Sequence, residues 1–144
     1  MDIRIKLYSE MTTKITRGNF RGQFSNAKPV LIISIIDYMP FMKGNKICFP
    51  NADLEEIYQT NLQFYDNECK TPIVKPFFYL DSEPFYELVW KPNHSPASST
   101  TLSGKYLREN LAYAKLDDDL WELLQDKENR EYLKQTIINR YLKE

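Results

Sequence analysis

One histidine, two cysteines and a run of three aspartates are the residues of this 144-residue chain whose types invite chemistry. His94 stands in Lys91-Pro-Asn-His-Ser-Pro-Ala-Ser-Ser-Thr-Thr101, where Pro, Ser and Thr mark an exposed loop, and a solvated imidazole there is a poor general base. A lone histidine also cannot supply a His-Asn-His nuclease centre. Cys48 and Cys69 make neither a disulfide framework nor a four-ligand zinc site. Asp117-Asp-Asp119 tempts a metal reading, but consecutive carboxylates ahead of Leu-Trp-Glu-Leu-Leu serve a helix N-terminus well. Dinucleotide, P-loop, nucleophile-elbow and zincin motifs are all missing. The expectation is a chain that is not catalytic as it stands and takes no metal and no cofactor.

What remains is binding, and charge shows where. The net charge is −1, which excludes a uniformly basic coat. Its distribution is uneven. Residues 1–28 hold six basic and two acidic groups (+4), residues 29–104 five and nine (−4), and residues 105–144 eight and nine (−1). A polyanion would meet the N-terminal segment. With 42% hydrophobic and 14% aromatic residues the chain is expected to pack one soluble domain over 1–144. Its longest apolar run, Val30 to Ile36 with its flanks, falls far short of the roughly 20 residues that span a bilayer. The N-terminus has no apolar h-region, so the expected location is the cytoplasm, with no membrane partner.

The elements that must position such a site follow from periodicity. Ile3, Ile5 and Leu7 alternate with Arg4 and Lys6, which suggests a short strand, with a helical start open. Arg17-Gly-Asn-Phe-Arg-Gly-Gln-Phe-Ser-Asn reads as a loop. Lys28 to Pro40 is ambiguous: five β-branched residues favour a buried strand, whereas its length, a cap at Ser25 or Asn26 and the placement of Pro29 and Pro40 fit a helix. Ile47 to Phe49 reads as a short strand. Asn51-Ala-Asp opens a helix with Leu54, Ile57, Tyr58, Asn61 and Leu62 on one face. Phe85 to Trp90 reads as a strand, a short helical stretch begins at Leu102-Ser103 and runs through Asn110, and Asp117 and Asp126 read as caps of a C-terminal helical hairpin. The expected class is α+β, a small, mostly antiparallel sheet packed with several helices.

Four strings carry a family likeness: Asn26-Ala-Lys-Pro-Val-Leu-Ile-Ile-Ser-Ile-Ile-Asp, Gly44-Asn-Lys-Ile, Lys75-Pro-Phe-Phe-Tyr-Leu, and Leu107-Arg-Glu-Asn-Leu-Ala-Tyr-Ala-Lys-Leu-Asp-Asp-Asp-Leu-Trp-Glu-Leu-Leu-Gln-Asp-Lys-Glu-Asn-Arg. In this order they resemble the N-terminal region of predicted HNH-type restriction endonucleases, which is similar to the sulfur-binding domains of enzymes that recognise phosphorothioate DNA. The resemblance covers roughly residues 26–142 and is most specific from Leu107 to Arg130. It implies a DNA-binding specificity module of a restriction or phage-defence system, with Lys28 to Met39 helical. Double-stranded DNA, plain or modified, would be the partner. In relatives an HNH nuclease domain follows this region. A non-catalytic endonuclease fragment, a stand-alone reader working with a nuclease partner, and a homodimer all stay open.

Candidate contacts are Arg17, Arg21, Lys28, Lys75, Pro76, Phe77 and Arg108. A lysine at a helix start opposes the helix dipole by a few tenths of a kcal/mol, so a phosphate held by Lys28, the free amides and Arg17 and Arg21 would resolve the conflict; the plain alternative leaves Lys28 in solvent. The resemblance assigns Pro76 and Phe77 to an apolar pocket for sulfur, although Lys75 replaces the tyrosine common there and suits a phosphate oxygen better. On its residue type alone Phe77 reads as core. Arg108 would fork onto a phosphate or guanine edge, or pair with Glu109 or Asp117. On this reading Lys28→Ala and Arg108→Ala weaken DNA binding and leave the melting temperature nearly unchanged. The rival is an adaptor or inhibitor module docking through a clustered aromatic patch, with the basic residues scattered.

Overall fold

The computed structural model describes residues 2–20, 23–94 and 102–142. The chain opens on a helix, α1 (Ile3–Thr12), capped by the Asp2 carboxylate, which accepts from the Arg4 amide at 2.9 Å. The strand suggested by Ile3, Ile5 and Leu7 is therefore replaced by the helical alternative. Ile3 and Leu7 are exposed, and the buried face is Ile5, Tyr8, Ser9 and Thr12, spaced for a helix. Two members of that face hide from a hydropathy pattern because they are hydroxyls. Ser9 Oγ donates to the Ile5 carbonyl and Thr12 Oγ1 to the Ser9 carbonyl, so both are satisfied within the helix.

Strands β1 (Asn19–Phe20) and β2 (Gln23–Phe24) pair antiparallel. Then comes α2 (Ala27–Tyr38), buried from Ala27 to Ile36. Its β-branched composition would suit a strand, but it is wrapped by other helices, and packing on every side overrides propensity. A 3-10 turn (Met39–Phe41) closes it at Pro40. Helix α3 (Ala52–Tyr65) is capped by Asn51, whose Oδ1 accepts from the Leu54 amide at 3.1 Å, and packs on α2 through Leu54, Tyr58 and Leu62. Ile47 forms only an isolated bridge to Ala114, not a strand.

Ile73 to Leu80 coils into a short helix, α4 (Val74–Tyr79), against α2. Strands β3 (Tyr86–Trp90) and β4 (Leu111–Leu116) form an antiparallel ribbon, with α5 (Gly104–Asn110) leading into β4. Nothing in Leu-Ala-Tyr-Ala-Lys-Leu announces a strand; pairing with β3 on one side and Ile47 on the other makes it one. Helices α6 (Asp118–Leu123) and α7 (Lys127–Ile137), the latter widening into a π-turn (Ile138–Leu142), form the C-terminal helical pair and both lean on α1. The fold is α+β, with α2 at its centre.

Candidate functional site

A cleft of about 630 Å3 opens where the segment Thr16–Gly18, the start of α2 and the helix α4 meet. Its lining brings together Arg17, Lys28, Lys75 and Pro76, residues spread over sixty positions of sequence. Ala27 and Pro76 add apolar surface, and Thr16, Ser25, Thr71, Tyr79 and Ser82 contribute hydroxyls. Arg21 lies outside the described residues.

The back wall is built on a buried ion pair. Lys28 Nζ donates to the Thr16 carbonyl at 2.7 Å and to Ser82 Oγ at 3.1 Å, and stands 3.6 Å from Glu83 Oε2. That same carboxylate oxygen accepts from the Thr16 amide at 3.0 Å and from Ser82 Oγ at 3.1 Å. Thr16 is thus gripped at both its N–H and its carbonyl, which ties the incoming loop to the α2 start. Neither role expected for Lys28 describes this arrangement. The residue is 9% exposed, so it does not point into solvent, and its ammonium faces the Thr16 carbonyl, Ser82 Oγ and the Glu83 carboxylate. Burial pulls the ammonium below its usual range, and Glu83 partly restores it. The conflict with the α2 dipole is settled by Glu83.

At the rim, Arg17 lies between two rings, its guanidinium carbon 4.8 Å from the Phe24 centroid and 4.7 Å from that of Tyr141. Nη1 donates to Asn26 Oδ1 at 3.1 Å, and Asn26 in turn donates to Asp66 at 3.0 Å. Of the two caps expected, Asn26 makes no capping bond for this reason, and Ser25 Oγ accepts from the Ala27 amide at 3.2 Å. The Tyr141 platform is fixed, donating to the Thr12 carbonyl and accepting from the Ile15 amide. Burial lowers the Arg17 pKa, yet a guanidinium stays charged, and it forms no ion pair among the described residues. Lys75, exposed on the first turn of α4, is likewise unpaired among them.

Phe77 and Arg108 lie elsewhere. Phe77 is fully buried, its ring 5.2 Å from Phe49 and 6.3 Å from Tyr86, and its carbonyl accepts from the Tyr86 hydroxyl at 2.6 Å. It is core and anchors α4 from behind while Pro76 faces the cleft. Arg108 is exposed on α5, outside the cleft lining, and pairs with neither Glu109 nor Asp117. The aspartate run divides among three partners: Asp117 accepts from Tyr8, Asp118 from Lys115 and Asp119 from Arg4. Asp117 occupies the α6 cap position without a side-chain capping bond. No group of three or more potential metal ligands occurs among the described residues.

The pattern reading missed Glu83 and the hydroxyl lining. Glu83 sits among the turn formers Asp81, Ser82 and Pro84, and nothing local marks it as buried. Among the described residues, no helix is long and apolar enough to cross a membrane. No family model matches the chain, and the search of curated proteins finds no match.

Proposed function

We propose that this chain is a DNA-binding specificity module of a restriction or phage-defence system, and that the cleft is where it meets the backbone of double-stranded DNA. The carrying observation is the convergence of Arg17, Lys75 and Pro76 on one cleft whose rim cations have no carboxylate partner among the described residues. A cation left unpaired beside a concave, partly apolar surface suits an anionic ligand. Phosphate oxygens would take Arg17 and Lys75. The apolar surface of Ala27 and Pro76 suits a substituent that accepts hydrogen bonds poorly, so a phosphorothioate sulfur is the finer form of this reading. Cleavage would fall to a nuclease domain beyond this region or on a partner.

Fluorescence anisotropy with plain, methylated and phosphorothioate duplexes tests it. Binding should fall steeply with salt, since each phosphate contact adds roughly 0.9 to the slope of log K against log salt. An Arg17→Ala/Lys75→Ala variant should lose most of it. No binding of any duplex at tens of micromolar protein would sink the reading. The adaptor alternative called for one aromatic patch, whereas the exposed large apolar side chains are dispersed over α1, β2, the 3-10 turn, α3, α4 and α7.

A further inference from the structure

A second concave surface, sharing no residue with the cleft, lies between the 3-10 turn, the loop Met42–Lys46 and the outward side chains of β4. Its prominent feature is Phe41, 74% exposed. Around it stand Tyr38, Tyr113, Lys43, Lys46 and Lys115, lining a shallow basin of about 620 Å3. We propose that this surface binds single-stranded nucleic acid, a base stacking on Phe41 and the backbone running along Lys43 and Lys46.

The lysines are not equivalent. Lys115 is neutralised by Asp118 at 3.2 Å and lies across the ribbon from Glu87. Lys43 and Lys46 are exposed and form no ion pair among the described residues; Lys46 Nζ stands 4.8 Å over the Tyr113 ring. Two uncompensated cations thus flank a protruding ring, within residues 29–104, which are acidic overall. An apolar protein partner would have to desolvate both ammonium groups to reach Phe41. A duplex keeps its base faces stacked inside and offers nothing to the ring. A single strand presents bases and phosphates together, the combination that stacking platforms with basic grooves take.

The surface is also held in place before any ligand arrives. Asn45 donates from Nδ2 to the Leu116 carbonyl at 2.7 Å and accepts from the Leu116 amide at 2.9 Å, as a neighbouring strand would. Two backbone bonds between Ile47 and Ala114, at 2.8 and 2.9 Å, continue the attachment. Little ordering of the loop is needed on binding, which favours affinity.

The test is anisotropy of a labelled oligothymidylate of about twelve nucleotides at low salt, a length that covers one basin of this type. Saturable binding is expected. Phe41→Ala should weaken it on the order of tenfold or more, and Lys43→Ala/Lys46→Ala should flatten the salt slope by roughly 1.4. All three side chains are exposed, so circular dichroism should show an unchanged fold. Arg17→Ala/Lys75→Ala should leave this binding intact while impairing duplex binding, which separates the two surfaces. The proposal is overturned by the absence of saturable binding at about 100 μM protein, by affinity indifferent to Phe41, or by loss of oligothymidylate binding in the cleft variant alone.

Discussion

Lys28 and Lys75 line the same cleft and differ in almost everything else. Lys28 is buried against the back wall with two hydrogen-bond acceptors and a carboxylate; Lys75 stands at the rim, exposed and without an ion pair among the described residues. The back wall is complete without a ligand, since among the described residues no buried side-chain polar atom lacks a hydrogen bond. The rim is not. A basic residue in a cleft is therefore no evidence of a ligand until its partners are counted: the lysine that the sequence marks most strongly is structural, and the exposed one is free to bind.

The largest effect should come from splitting the back wall. Glu83→Gln leaves the Lys28 ammonium buried without its counter-charge, and should lower unfolding free energy by about 3 kcal/mol in urea melts. Lys28→Met strands Glu83 in the same way. The double variant should recover part of the loss, because it removes both charges; a double-mutant cycle is the measurement. Single variants within about 0.5 kcal/mol of wild type would mean that the pair is solvated and the two lysines are alike. Lys28→Ala thus ceases to be a clean binding probe: it should lower the melting temperature.

A smaller effect should follow from loosening what holds the rim from behind. Tyr86→Phe removes the donor to the Phe77 carbonyl beneath Lys75 and Pro76, and should cost about 1–2 kcal/mol by leaving a buried acceptor unmet. High pH should do this collectively. Burial pushes Tyr8 up to about 12, helped by Asp117, and raises Tyr58 and Tyr86 further. A raised folded-state pKa gives stability that is full below the ordinary tyrosine value of 10.0 and lost as pH climbs from there toward the folded values. Lys28 acts oppositely, gaining stability just below 10.5 because its pKa is lowered. Three tyrosines outweigh one lysine, so stability should fall above pH 10. Phenolate absorbance of these side chains should appear with unfolding; full ionisation in a chain still folded by circular dichroism would contradict it.

Where the sequence was legible, the signal was local. The face of α3, its start at Asn51, the cap at Asp126 and the strand ending at Trp90 follow from spacing and turn chemistry. Where it failed, a distant partner decided. Strand β4 depends on β3 and Ile47; the α1 face depends on hydroxyls bonding their own helix; Glu83 is buried because Thr16 and Lys28 arrive from distant positions upstream. The site divides likewise. Composition placed the basic segment near the N-terminus, but only the fold brings α4 to it and turns Phe77 away.

The smallest effect on stability, and the sharpest on function, belongs to Lys75→Ala. An exposed lysine without an ion pair among the described residues should change unfolding free energy by less than about 0.5 kcal/mol. If the rim meets DNA, the same substitution should weaken duplex binding across sequences, because a phosphate contact carries no base information, and should reduce the salt slope by roughly 0.9. Arg17→Ala should reduce it similarly while also loosening the stack on Tyr141 and Phe24, so Lys75 is the cleaner probe. Arg108→Ala, outside the cleft, should leave the slope unchanged. A slope altered by Arg108 and untouched by Lys75 would move the DNA contact from the cleft to α5, and the contrast between wall and rim would lose its functional meaning.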